Sequence, residues 1–154
     1  MEEITEAKYP EVARLRQVDG VGPVTALTFV LTIEDPRRFR NSRTVGAYVG
    51  LTTKQNQSGE ANPEMRITKA GDCDLRRLLV CCAQYILGAF GSDSDLRRWG
   101  LKLAARGDKA AKKRAIVAVA RKLAVLLHRL WVSGETYEPL RNAERCRTKV
   151  AATG

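Results

Sequence analysis

Leu15-Arg-Gln-Val-Asp-Gly-Val-Gly-Pro-Val-Thr-Ala26 is the stretch that decides how this chain is read. Its offsets are those of a helix-hairpin-helix. Leu15 and Val18 fall three apart, on the inner face of a first helix. Gly20-Val21-Gly22 makes a tight turn, its two glycines letting the backbone pass through positive φ. Pro23 opens a second helix, at the position where its missing N–H costs nothing. Val21 points inward and pins the turn. The turn amides, with Thr25 just beyond them, face outward at the positive end of a helix dipole. A cup of such donors suits a phosphate oxygen and holds DNA by its backbone without reading sequence. A plain helical hairpin packed in a core is the alternative; the full pattern of Leu, Val, Gly, Val, Gly and Ala at these offsets, with the charge of the chain, favours the first reading.

That charge is large. Twenty-seven Lys and Arg stand against 17 Asp and Glu among 154 residues, a formal net charge of +10. Such an excess on one small domain favours a polyanionic partner, most simply nucleic acid. A membrane surface is the competitor. No apolar stretch is long enough to span a bilayer, and the acidic start Met-Glu-Glu-Ile-Thr-Glu is unlike a signal or transit peptide. The expected setting is cytoplasmic, beside the nucleoid, with no membrane partner. Cys73, Cys81, Cys82 and Cys146 contain no C-x-x-C pair, and His128 is the single histidine. Zinc needs a denser cluster, so the thiols read as free and reduced. Asp72 with Asp74, and Asp93 with Asp95, sit at helix starts where acids are expected in any case. No metal ligands are assigned.

Further along, Pro10 starts a helix to about Gln17, and Pro23 starts a second to about Glu34. The second is apolar on nearly all sides and is expected to be buried. Asp35-Pro36 stops it. Arg37, Arg38, Arg40 and Arg43 follow, with Phe39 as an anchor among them. Ser42 can cap a short helix to Val49 that Gly50 ends. Leu51 to Thr68 is β-prone at both ends and polar between, which predicts a small hairpin around an irregular loop. Three longer helices come next. One runs from about Asp74 to Phe90 with Asp72 as cap. One starts after Ser92 or Ser94 and runs to about Ala105. The longest runs from Lys109 to about Val132, started by Asp108 and ended by Ser133-Gly134. The predicted fold is mainly α in a single domain over 11–137. Residues 1–10 read as the end of an upstream linker or coiled coil, and 138–154 as a polar tail with one short helix after Pro139.

Ser58-Gly59 is the sharpest chemical candidate. Serine hydrolysis would need a histidine base, and His128 lies inside an amphipathic helix, where a structural role is the simpler reading. Serine attack on a phosphodiester instead needs positive charge around the phosphate. Arg66, Lys69, Arg76 and Arg77 follow closely and could supply it. From the residues alone Ser58 reads first as a turn residue, the usual role of a loop serine. Arg76-Arg77 fit either a phosphate site at a helix start or a solvated face. The same choice stays open for Lys109, Lys112, Lys113 and Arg114, while Trp99 and Trp131 read as core.

Several runs together resemble a known group. They are Val18-Asp-Gly-Val-Gly-Pro-Val-Thr-Ala26, Phe39, Gly46-Ala-Tyr-Val-Gly-Leu51, Gln57-Ser-Gly59, Arg66-Ile-Thr-Lys-Ala-Gly71, Leu75-Arg-Arg-Leu-Leu79 and Ala115-Ile-Val-Ala-Val-Ala-Arg-Lys-Leu123. In this order they resemble the C-terminal domain of insertion-sequence transposases of the 110/116/902 group, with which the Piv-like DNA invertases belong. The resemblance covers about Pro10 to Tyr137. It implies a nucleophilic role for Ser58, forming a serine–DNA phosphoester in strand cleavage and exchange. It implies that this half contacts DNA, and the residues read above as able to do so are Gly20, Val21, Gly22, Thr25, Arg66, Lys69, Arg76 and Arg77. It also implies magnesium on a RuvC-like N-terminal half that these residues do not contain, a structured guide RNA, and a homo-oligomer in the full-length protein. Asp72 and Glu60 depart from the group's pattern, each adding negative charge near the expected phosphate. The chain alone is not expected to cleave DNA. The alternative is a non-catalytic helix-hairpin-helix module that binds nucleic acid.

Overall fold

The computed structural model describes residue 3 and residues 7–52 and 67–152. Ser58, Arg66 and most of the expected hairpin lie outside the described residues. Seven α-helices are described: α1 Pro10–Leu15, α2 Pro23–Ile33, α3 Arg43–Tyr48, α4 Cys73–Leu87, α5 Asp95–Ala104, α6 Lys109–Ser133 and α7 Arg141–Ala152, with a 3₁₀ turn over Pro36–Arg38. The mainly α expectation holds, including the three longer helices.

Most helix starts follow local chemistry. Asp72 accepts from the Leu75 amide at 2.7 Å, Ser94 from Arg97 at 3.0 Å, and Asp108 from Ala110 at 3.0 Å. Each satisfies a backbone donor that the first helical turn leaves orphaned. Gly134, at φ +69, ends α6 in the left-handed region. The end of α4 is handled differently. Arg97 reaches back and donates to the carbonyls of Ile86 and Gly88, each at 2.6 Å.

α6 is the central element, with α1, α3, α4, α5 and the 3₁₀ turn packed around it, while α2 rests on α1 and α4. Val119, Leu123 and Leu127 of α6 meet Leu15, Phe29, Ile33, Leu75 and Leu79 in one continuous core. Ala115, Ala120 and Ala124 keep the α6 surface low enough for its neighbours to approach. Gly100 serves the same end on α5, since a methyl there would fall 2.5 Å from Val119 and 2.6 Å from Leu87.

Three sequence expectations are corrected. The β-hairpin around Leu51 to Thr68 is not seen, and the described residues contain no strand. Thr68 donates to Thr52 at 3.0 Å and Lys69 to Gly50 at 3.1 Å, but Gly50, Lys69 and Gly71 all take positive φ. Positive φ at these three positions ends any extended run on both sides of the segment, so pairing among the described residues is confined to its two ends. Nor is α2 buried all round: Val24 is 65% exposed and Leu31 50%. Among the described residues one flank of the helix has no neighbour, which hydropathy alone cannot reveal. Finally, Ser42 does not cap α3 with its side chain. Asn41 Oδ1 takes the Arg43 amide instead, at 2.9 Å.

The Ser42 hydroxyl is engaged elsewhere. Nε2 of buried His128 lies 2.7 Å from the Pro36 carbonyl oxygen, which can only accept. Nε2 therefore carries the proton, and Nδ1 accepts from the Ser42 hydroxyl at 2.9 Å. Phe39 packs edge-on against His128 at 5.6 Å and against Tyr48 at 5.2 Å. His128 thus ties the 3₁₀ turn and α3 to α6, the structural role expected of it. Ser42→Ala should lower stability by about 1 kcal/mol, because a buried ring nitrogen loses its partner. Chemical denaturation checks this, and an unchanged midpoint would remove the hydroxyl from the account.

Candidate nucleic-acid interface

The glycine turn forms, and it departs from the sequence reading at Gly22, at the Val21 amide and at Thr25. Gly20 takes φ +92, while Gly22 takes φ −82 and ψ 173, extended backbone that any residue could adopt. Gly20 is required for a second reason: a methyl there would fall 2.9 Å from the Tyr85 ring and 3.3 Å from Ile86. Val21 is buried and pins the turn, but its amide donates inward to Val18 at 3.0 Å. The outward donors are therefore those of the α2 start, where no side chain caps the helix and Gly22 borders open space. Thr25 is buried beneath this start, its hydroxyl 3.6 Å from Cys82 Sγ. Asp19 beside the turn accepts from the Ser92 amide at 3.1 Å, fastening the turn to the loop after α4. The Ser92 hydroxyl and amide hold its carboxyl below the ordinary carboxylate value.

The concavity at the turn is lined by α4 as well, through Leu78, Cys81 and Tyr85, and among the described residues no Lys or Arg lines it. Cationic side chains gather at the other end of α4. There the two ends of segment 53–66 are joined in a stem. Gly50 at φ +79 and Gly71 at φ +78 let the backbones cross, an added methyl on either falling 2.2 Å from a carbonyl oxygen. Arg76 locks the crossing, donating to Val49 O at 3.2 Å and to Ala70 O at 3.0 Å. Lys69 sits on the stem with an exposed side chain and φ +55, a conformation costly for a residue with a Cβ.

The predicted residues therefore fall into two groups. Gly20, Val21, Gly22 and Thr25 meet at one end of α4, and Lys69 and Arg76 meet at the stem. Arg77 lies between. It shares a face with Cys81 and Tyr85, eight residues or about 12 Å along the axis from Tyr85. Its contact with Asp74 is long, 3.9 Å, and both side chains are largely exposed. Such a pair contributes almost nothing and leaves the guanidinium available. The sequence reading missed the stem. Its signal was present in Gly50 and Gly71, which flank the polar segment. No helix among the described residues is long and apolar enough to cross a membrane.

Comparison with known proteins adds the family. Residues 12–98, more than half of the chain, match the family described as Transposase IS116/IS110/IS902. The chain is similar to the transposase for insertion sequence element IS1111A of Coxiella burnetii, at 33% identity over 124 residues, 80% of this chain and 34% of that protein. It is similar to the transposase candidate y4pF/y4sB of Sinorhizobium fredii, at 35% over 126 residues, 80% of this chain and 32% of that protein. It is also similar to the transposase for IS1328 of Yersinia enterocolitica, at 39% over 71 residues, 46% of this chain and 21% of that protein. The chain spans about a third of the length of the first two relatives.

Proposed function

The chain belongs to the transposase IS116/IS110/IS902 family, and from that premise we propose that it is the DNA-contacting, serine-bearing part of a transposase. The observation that supports this best is the stem. A protein that needs only a passive loop between α3 and α4 has no use for two left-handed glycines, a left-handed lysine and an arginine clamp at its base. A loop that must present a reactive side chain to a large substrate does.

In this reading the Ser58 hydroxyl gives up its proton as Oγ bonds to phosphorus. The bond from phosphorus to one sugar oxygen breaks, and that oxygen leaves as a hydroxyl, taking a proton. One phosphodiester is exchanged for another, so the reverse attack by a different strand end rejoins DNA without an external energy source. Among the described residues no three His, Cys, Asp or Glu side chains come together to hold a metal ion. Lys69 and Arg77 supply positive charge near the stem, and Arg66 is a further cation in the same stretch of sequence. The open start of α2 holds the backbone farther along, roughly three to four base-pair steps from Arg77 at 3.4 Å of axis each. Arg76 acts through the stem.

Salt dependence tests the DNA contact. Affinity for duplex DNA should fall with the logarithm of salt at a slope near −4 to −5, as about five phosphate contacts require. Arg77→Ala should make the slope shallower by about 1. A flat dependence would contradict the reading and leave the net charge with a role in solubility alone.

A further inference from the structure

The outward side of α6 carries charge of one sign. Every charged residue from Lys109 to Ser133 is a cation. With successive residues 100° apart, Arg121, Lys122, Val125 and Arg129 lie on the side turned from the core. Gly46 of α3 holds one of them in place, because the Arg121 stem occupies the space a β-carbon would need, 2.7 Å away.

Beside this stripe a cavity of about 490 Å³ opens between α5, α6 and the segment leading into α7. Lys122 and Arg129 of α6 and Arg145 of α7 line it. Three carboxylates, Asp95, Glu135 and Glu138, share the lining with four cations, Arg141 included, and the first two have partners of their own. Asp95 accepts from the Asn142 amide at 2.8 Å, and Glu135 pairs with Arg141 at 3.3 Å. Glu138 is exposed. No carboxylate of a described residue lies within ion-pair distance of Lys122, Arg129 or Arg145. Lys122 is the most telling of the three. Its ammonium stands 3.9 Å above the Trp99 ring, partly out of water, where burial and the neighbouring Arg121 charge both disfavour protonation. A cation held in such a place without a counter-charge is an incomplete arrangement that an incoming anion completes.

We infer that this cavity seats a phosphodiester of a nucleic-acid strand, with Lys122, Arg129 and Arg145 as its counter-charges. The strand assignment follows from size and continuity. The space is far larger than a phosphate ion, and the positive stripe continues out of it along α6 through Arg121, so neighbouring phosphates of one strand stay neutralised. The inference rests on the reading that this chain handles nucleic acid, and it shares no residue with the glycine turn or the stem.

The test uses the whole chain and a ten-nucleotide single strand. Wild type should bind with a change in Trp99 emission, identified with Trp99→Phe. Lys122→Met keeps the aliphatic stem over the ring and removes the charge. Combined with Arg129→Gln and Arg145→Gln it should weaken binding at least tenfold, abolish the Trp99 change and make the single-strand salt slope shallower by about 2, at about 0.7 per phosphate. Thermal unfolding should stay at the wild-type midpoint. A triple variant that binds like wild type overturns the inference. If Arg77→Ala still lowers the DNA salt slope in that case, the broader reading survives and the cavity alone is excluded. Wild type that binds no nucleic acid at all overturns both. Inorganic phosphate that reproduces the Trp99 change at concentrations where the oligonucleotide does no better would show a simple anion site and overturn the strand assignment.

Discussion

Ser58→Ala should abolish strand cleavage in a protein that joins this chain to the remaining length its relatives carry. Removing a nucleophile that bonds to the reacting atom costs about 10³-fold or more, since what remains is binding and electrostatic assistance to water. DNA affinity should stay within about twofold of wild type, because backbone contacts dominate it and one hydroxyl adds little. The split between lost chemistry and retained binding is the informative outcome. Cleavage assays on a labelled duplex, with binding measured on the same preparation, report both. A variant that still cuts at the wild-type rate would assign the nucleophile elsewhere.

Gly71→Ala should destabilise the fold by about 4 kcal/mol, more than any single truncation on the surface. Two costs combine. The left-handed conformation at φ +78 penalises a β-carbon by about 1–2 kcal/mol. The new methyl would also lie 2.2 Å from the Tyr48 carbonyl oxygen, a rigid backbone atom that cannot swing aside. Relief requires the stem to open, which breaks the Arg76 clamp and the Lys69–Gly50 hydrogen bond with it. Gly22→Ala is the matched control. Its φ of −82 suits alanine and its added methyl meets nothing within 4 Å, so stability should change by no more than about 0.5 kcal/mol. Urea unfolding of the two variants decides the matter. Equal midpoints would mean that the crossing at Gly71 is not fixed in solution.

The parts of this fold that the sequence displayed are those determined within a few residues. The Gly-Val-Gly-Pro turn, the Asp72, Ser94 and Asp108 caps, the Gly134 stop and the inward stripe of α4 are each written in one helical turn of sequence. What it concealed depends on distant partners. Ser42 looks like a cap, but its hydroxyl goes to His128, 86 residues away. Leu51 to Thr68 looks like a hairpin because β-propensity reports side-chain preference, and it does not reveal the backbone crossings at Gly50 and Gly71 that flank the stretch. Arg76 and Arg77 look equivalent as neighbours on one helix. The fold commits the first to Val49 and Ala70 and leaves the second facing outward. The candidate site was legible in its residue types and in the family resemblance. Its division into a neutral glycine turn and a cationic stem was not, because that depends on which end of α4 each loop reaches.

The nature of the covalent link is the sharpest measure of the whole account. A complete protein carrying this chain, quenched in denaturant during strand exchange on labelled DNA and then digested, should yield one DNA-bearing peptide from the segment between Thr52 and Ile67, with the phosphate on Ser58. A DNA-bearing peptide from any other part of the chain, or strand exchange that proceeds with no link to protein at all, would contradict it.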